Sequence, residues 1–590
     1  MENTTIFITI GIYLVFLLGI GKLFTRYNSN ISDYVRGGAR GTWWMVGMSS
    51  FMASISAFTF TGNAGAAFQA GPSPIIIYMA TNMAGFVFIF FLAGWFRQSR
   101  AVTLQDLVRR RFGPEVEQLN CYMAVVLGPL HAAVQLLSLG IFCSAVFGFP
   151  LIPTIVVIGC VVVTYSTMGG RWAVMATDFF QSLILIPIVV LIAYLCLKEV
   201  GGVSGFLEHF NSPKLGEDYK FINAEGHWPG DRFSSKWMTV IFLSIFLQTM
   251  SFIYAPRYLA VRDGKEARKA AMLTFGLGWI GTLIWFIPPM VARFLIEDDV
   301  LAVDITQPVT ASYALIAERV LPNGLLGVLV VAMFAATMSS MDTGLNGVTG
   351  TVVKNLLPPL FRKLKRPPIA EDRQLFWCRG VTLFFGAMII VNSAWLGIQE
   401  EVELFDILLL LGSIIGLPLA IPLAISIFFK RLPRWSYFSI SGCSLIPSIW
   451  SYIEKWVTGE GWLMHDRIMW ILIGSLVGTL LSLPFYRYSK QVYRDQVDKL
   501  FKDMRTPIDF EKEIGGANDT QQLRTMGNVS IAGGLFLAIL LILPNSLSGR
   551  MCVLFVCGFV ILIGSLMKRT ARLKDEALKV ANLDTDVKES

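Results

Sequence analysis

The sequence predicts an all-α integral membrane protein of about 15 transmembrane helices, and three observations carry that expectation. Hydrophobic residues make up 54% of the 590 and charged residues only 15%, where a soluble protein carries about 25% charge. Mean hydropathy is +0.60. Apolar runs long enough to cross a bilayer, about 20 residues each, fill most of the chain. The same figures exclude a soluble enzyme, a disordered chain and a disulfide scaffold. The length of the runs, and their lack of apolar/polar alternation, excludes a barrel of strands.

In chain order the runs fall near 5–24 (span 1), 43–69 (2), 74–96 (3), 119–148 (4), 151–168 (5), 175–198 (6), 236–259 (7) and 270–296 (8). They continue at 323–350 (9), 376–398 (10), 404–429 (11), 434–457 (12), 466–486 (13), 529–545 (14) and 549–567 (15). Span 1 opens with Met1-Glu2-Asn3, with no basic segment and no small-residue cleavage site, and reads as a retained anchor. Trp43, Trp44, Trp95, Trp172 and Trp237 lie near span ends, where an interfacial belt places them.

Roughly four fifths of the 49 Lys and Arg residues follow the odd-numbered spans. That bias puts the amino terminus outside and the carboxyl terminus in the cytoplasm of a plasma (inner) membrane protein. It also explains the net charge of +8 without a nucleic-acid partner. The largest outside connection, 199–235, mixes both charge signs with Gly and Pro and reads as a surface loop. The polar inner stretch 487–528 reads as a solvated connector, with a regulatory or lipid-facing helix as the alternative. Eight cysteines in or beside apolar runs, without zinc-type spacing, read as small buried hydrophobes. Gly276, Gly278 and Gly281 fit the dinucleotide fingerprint, but they lie inside an apolar span, where glycines serve close helix approach.

Chemistry concentrates in two spans. Span 2, from Met45 to Gly65, carries Ser49, Ser50, Ser54, Ser56, Thr59, Thr61 and Asn63. Each unsatisfied polar group in hydrocarbon costs several kcal/mol, so this helix faces protein or a water-filled cavity. If it unwinds, its free carbonyls suit a hard cation. If it stays wound, its small residues pack closely and its hydroxyls bond back to their own carbonyls. Span 9 reads Ala335-Ala336-Thr337-Met338-Ser339-Ser340-Met341-Asp342-Thr343. On a straight helix Ala336, Ser339, Ser340 and Thr343 share an arc of about 100°, with Asp342 roughly 60° beyond Ser339. A hydroxyl-lined face beside an acid suits a cation, and an acid within the membrane is a functional hypothesis by default. A protonated Asp342 bonded to a neighbouring helix is the alternative. A second acid, Asp178, sits about two turns into span 6. It suits a relay for an ion moving inward, or a partner for a basic residue near the interface.

With these residues in view the chain resembles the sodium:solute symporter family, which includes sodium/glucose, sodium/proline and sialic acid cotransporters. The resemblance rests on four patches: the span 2 run ending at Gly62, Gly169-Gly170 to Gln181, Ala336 to Asn346, and Leu404-Phe405-Asp406 through Gly416 and Pro418 to Phe429-Lys430-Arg431. It implies a leucine-transporter-like 5+5 inverted repeat, spans 2 to 6 and 7 to 11, with spans 2 and 7 discontinuous. The divisions that follow are an anchor and loop (1–42), the first repeat (43–198), an outer loop (199–235), the second repeat (236–431), and accessory helices with a cytoplasmic loop and short tail (432–590).

The resemblance further implies a sodium site of the Met52, Ile55 and Ala336 carbonyls and the Ser339 and Ser340 hydroxyls. In the sialic acid branch an additional sodium is held at positions aligned with Asp178, Ser340, Asp342 and Thr343; one of those hydroxyls is here Asp342. The implied solute contacts are Ser54, Thr59, Tyr78, Gln248 and Leu409. Sugar carriers place a glutamate at the position of Tyr78, an amide or histidine at Thr59 and a glutamine at Leu409, and the family's Gln-Arg after span 7 is here Pro256-Arg257. The expected activity is uptake of a small organic solute driven by sodium, with no other cofactor. Solute, ion and membrane lipid are the expected partners, with no obligate protein partner evident. A proton-coupled carrier using Asp178 or Asp342 and a non-transporting sensor are the rivals. An enzyme is disfavoured, since Ser339 and Asp342 have no His or Lys nearby in sequence.

Overall fold

In a computed structural model the described residues are 37–399 and 412–589, apart from 214, 304, 306, 460, 514 and 516–518. The chain is mostly helical, and among the described residues it forms no strand beyond two isolated bridges. Nine described helices are long and apolar enough to cross a membrane. They coincide with spans 3, 4, 6, 8, 9, 10, 13, 14 and 15, and shorter apolar helices, Leu151–Thr164 and Leu417–Phe428, match spans 5 and 11. Spans 5 and 6 belong to one helical run, Leu151–Glu199, rather than two separate helices. Span 1 and residues 404–411 lie outside the described residues.

Spans 2 and 7 depart from regular winding, and their sequences show why. Span 2 forms Trp43–Met52, Ala57–Phe60 and Gly62–Ala70, leaving residues 53–56 non-helical. Two serine side chains compete for the backbone there: Ser54 Oγ donates to the Phe51 carbonyl (2.6 Å), and Ser56 Oγ accepts from the Phe58 amide (3.3 Å). Span 7 runs from Ser235 to Thr249, then passes through the tight turn Phe252–Tyr254 into the short helix Ala255–Tyr258, with Pro256 in its first turn. Pro288 and Pro289 likewise divide span 8 into Gly264–Ile284 and Ile287–Leu295.

Span 9 is the central post. Of its apolar window 94% is buried, against 28% for span 10. It packs on spans 4 and 6, while the first part of span 2 lies between spans 6 and 8. Small residues permit these approaches: a Cβ on Gly47 would lie 3.0 Å from the Ala270 carbonyl, and one on Gly278 would lie 2.5 Å from Asn82 Oδ1. Of the fingerprint glycines, Gly278 is thus a helix-packing residue, while a Cβ on Gly276 would have nothing within 4 Å and Gly281 lies under the Trp285 ring. Spans 12 and 13 form one peripheral pair and spans 14 and 15 another. Of the cysteines, Cys160 is exposed and Cys443 and Cys552 half-buried; the other five are buried, so the expectation fails for Cys160, whose helix surface is apolar.

The 199–235 loop is partly ordered by its own helix, Gly202–Phe210, and grips the far end of span 2. Tyr219 is buried, donates from its hydroxyl to the Phe68 carbonyl (3.0 Å), and sets its ring against Gly71. Gly71 has φ +56°, and a Cβ there would meet that ring at 2.7 Å, so both conformation and space call for glycine.

At the opposite face, rich in Lys and Arg, residues 487–528 are not a solvated connector. The helix Gln491–Arg505 buries Tyr493, Val497, Leu500, Phe501 and Met504. It docks on Leu104–Phe112, a helix opened by a capping box in which the Asp106 amide donates to Thr103 Oγ1 and the Thr103 amide to the Asp106 carboxylate. The apolar positions recur at helical spacing within a polar run, which hid the buried stripe behind the charge.

Candidate functional site

The described polar residues of spans 2, 7 and 9 meet at the break of span 2. Three successive links run along span 9. Thr337 Oγ1 accepts from the Ala57 amide (3.1 Å), where span 2 resumes its helix. Ser340 Oγ donates to the Ile55 carbonyl (2.8 Å) inside the break and also lies 3.4 Å from the Ala53 carbonyl. Thr343 Oγ1 accepts from Arg257 Nη2 (3.0 Å), while Arg257 Nη1 donates to the Ser49 carbonyl (2.7 Å). Ser49 Oγ in turn donates to Asp178 Oδ2 (2.5 Å).

Met52, Ile55, Ala336, Ser339 and Ser340 are all buried. Ser339 Oγ has no hydrogen-bond partner among the described residues, and neither has the buried Ser50 Oγ. A buried hydroxyl without a hydrogen-bond partner is costly unless something else binds there. The donor set is all oxygen: carbonyls of the unwound segment and two hydroxyls. That chemistry suits Na+, a hard cation, and does not suit a soft metal.

The residues expected to contact the solute divide. Thr59 and Tyr78 come together: Asn63 Nδ2 donates to the Tyr78 hydroxyl (2.8 Å), which donates to Thr59 Oγ1 (2.9 Å). Tyr78 also meets Trp285 and Phe286 edge-on, at ring-centroid distances of 5.2 and 5.5 Å. Ser54 is exposed at the break, and Gln248 is half-buried on the last turn of span 7's first helix. A Cβ on Gly412 would lie 3.7 Å from Gln248 Oε1, which places the described end of span 11 beside it. Leu409 and the Asp342 side chain lie outside the described residues.

Three contacts at the crossing were not found by sequence reasoning: Thr337 on the Ala57 amide, Ser49 as a partner of Asp178, and Arg257 as a basic group reaching span 9. Thr337 could have been found, since 337, 340 and 343 form an i, i+3 row on span 9. Arg257 could not, because the turn at Phe252–Tyr254 redirects it. Asp178 accepts from Ser49 Oγ and lies within electrostatic reach of Arg257, a basic residue as the second reading expected.

Helices interrupted at mid-length around an oxygen-lined crossing define a membrane transporter of ions with solutes. The family model described as "Sodium:solute symporter family" matches residues 34–436, more than half the chain, and the chain belongs to that family. It is 23% identical over 486 residues to the sodium/glucose cotransporter 1 of Ovis aries, covering 73% of this chain and 69% of the relative. It is 22% identical over 513 residues to the sodium/sialic acid symporter NanT of Aliivibrio fischeri, covering 84% and 96%. A solved structure of a Na+-coupled sialic acid symporter, in a substrate-bound outward-open state, superposes with a TM-score of 0.67 at 18% identity, covering 82% of this chain and 98% of that one. The chain is thus a multi-pass sodium-coupled solute symporter and not an enzyme, with Na+ as its coupling ion.

Proposed function

We propose that this symporter takes up one small organic solute by alternating access between two inverted repeats, 43–198 and 236–431, within a fold of about 15 spans. The ion sits where the Met52, Ile55 and Ala336 carbonyls face the Ser339 and Ser340 hydroxyls. The solute binds alongside, among Ser54, Thr59, Tyr78, Gln248 and Leu409. The basic face is cytoplasmic, the 199–235 loop is outside, and the membrane is the plasma (inner) membrane. The observation that carries this reading is the Ser340 to Ile55 bond across the break of span 2, with the Ser339 hydroxyl unpartnered beside it. Sodium bound there would turn both oxygens toward itself and replace a single hydrogen bond by a set of ion contacts. It would thereby hold spans 2 and 9 together in the solute-ready state, which is how an ion favours one conformation over another.

One inward charge at 100 mV supplies about 2.3 kcal/mol, and a tenfold sodium gradient adds about 1.4 kcal/mol. The sum, roughly 3.7 kcal/mol per ion, concentrates a neutral solute about 500-fold. The relatives carry glucose or sialic acid by name, but Thr59 and Tyr78 here satisfy each other. A hexose in the sugar carriers' pose would lack their acidic and amide partners, and such a loss costs selectivity heavily. The test is uptake into proteoliposomes of a solute found by thermal-shift screening with and without sodium. Accumulation is expected to follow the sodium gradient; accumulation that persists without sodium and follows a pH gradient overturns the reading.

A further inference from the structure

The layer one helical turn inward from the sodium site is bridged by a side chain from a third span. Thr343 follows Ser339 and Ser340 on span 9, and Ser49 precedes Met52 on span 2; each is about 5 Å farther along its axis toward the basic face. Arg257 spans that layer, with Nη1 on the Ser49 carbonyl (2.7 Å) and Nη2 on the Thr343 hydroxyl (3.0 Å). It stands on the short helix Ala255–Tyr258. Asp178, which accepts from Ser49 Oγ, completes the ring.

We propose that Arg257 is a tethered cation that closes the inward sodium route, released only when span 7 moves relative to span 9. This rests on the sodium site and orientation of the preceding reading. An ion leaving that site for the cytoplasm needs oxygen ligands on its way. Two oxygens of the layer one turn inward, the Ser49 carbonyl and the Thr343 hydroxyl, are both held by the guanidinium. The fixed positive charge also repels the ion within a low-dielectric interior, where little screens it. The Nη2 bond to Thr343 joins span 7 to span 9, so any rocking that parts them breaks it. The route then opens, and Thr343 and Asp178 become a stepping site for the ion. Closure thereby ties sodium release to the conformational change and prevents slippage.

The test is ²²Na+ flux through the full-length protein in proteoliposomes without solute, alongside sodium-dependent thermal stabilisation. Arg257→Met is expected to raise solute-independent sodium flux by about tenfold or more, the scale on which a fixed charge alters ion passage. Sodium-driven accumulation should fall while sodium still stabilises the protein. Thr343→Val removes one anchor and should give a smaller leak. Arg257→Lys keeps the charge, cannot bridge both acceptors, and should fall between Met and the native residue. If Arg257→Met does not fold, Thr343→Val carries the comparison. Unchanged solute-free flux in the folded variants overturns the proposal, as does a leak in which Lys is no better than Met. Absence of sodium stabilisation in the native protein overturns the sodium site itself, whatever the arginine variants do.

Discussion

The crossing of spans 2, 7 and 9 and the basic face hold their parts together in opposite ways. At the crossing, the break of span 2 meets span 9 through single hydrogen bonds of neutral groups, with Arg257 and Asp178 one turn away, and Ser50 and Ser339 have no hydrogen-bond partner among the described residues. At the basic face one fully buried side chain ties several elements. Arg111 donates to the carbonyls of Ser426 (3.2 Å) and Phe429 (3.1 Å) at the end of span 11, and to the Tyr493 hydroxyl (2.5 Å). Tyr493 passes the link on to the Leu432 carbonyl (2.9 Å). Around it stand ion pairs of Lys354 with Asp106, Lys430 with Asp498, Arg110 with Asp503 and Arg100 with Glu513. The single neutral bonds between the break of span 2 and span 9 are ones an ion or water can replace at little cost, whereas the several bonds gathered on Arg111 must be lost together.

The comparison is broken most severely by Arg111→Ala. Loss of that guanidinium leaves the Ser426 and Phe429 carbonyls without this donor and removes one of the two bonds of the Tyr493 hydroxyl, and a destabilisation of about 3 kcal/mol or more is expected, read as a large drop in the melting temperature of the detergent-solubilised protein. At the crossing, Ser340→Ala should leave melting nearly unchanged while raising the sodium concentration for half-maximal uptake by about tenfold, the value of one good ion contact. An unchanged half-maximal concentration would count against the assigned ion ligands. Tyr78→Phe, which cuts both bonds to Thr59 and Asn63, should cost about 1 kcal/mol of stability and change the apparent solute affinity more than the sodium dependence. Asp503→Asn, in an ion pair that is partly exposed on both sides, should cost no more than about 1 kcal/mol.

Acid sharpens the contrast further. Burial pushes the Asp106 carboxyl up, but Lys354 and the Val102 and Thr103 amides outweigh it and hold the group below its ordinary value of 3.8. Glu513 is held below 4.5 by its bond to Arg100. Depressed carboxylates stabilise the fold above their unfolded values and lose that contribution as pH falls through the folded ones. Melting temperature should therefore be flat from about pH 8 to 5 and decline below about pH 4. A decline centred near neutrality would place the titrating groups elsewhere.

The ion face was legible in the sequence because its chemistry is local. Ser339, Ser340 and Ala336 share one helical arc, and the serines that unwind span 2 are visible as a run of hydroxyls where lipid tolerates few. The apolar spans were legible for the same reason, since twenty residues of hydrocarbon character need no partner to be recognised. The 487–528 helix was misread because its contacts are distant: five apolar side chains have meaning only once the Leu104–Phe112 helix is placed against them. Pro256 was recognised as a departure from the family's pair of residues, with Arg257 matching it, but the reach of Arg257 to span 9 depends on a turn that composition does not reveal. The mutual satisfaction of Thr59 and Tyr78 was hidden too, because a bond across 19 residues between different spans has no periodic signature.

Tyr219, lodged against Gly71 at the far end of the broken span, gives the face opposite the basic one a handle on the interrupted helix. Whatever tilts the second part of span 2 must drag the loop that carries this ring, so a dye or antibody fragment attached near residues 217–223 would register each transport stroke. An agent that merely immobilised that loop would stall the cycle without entering either binding pocket.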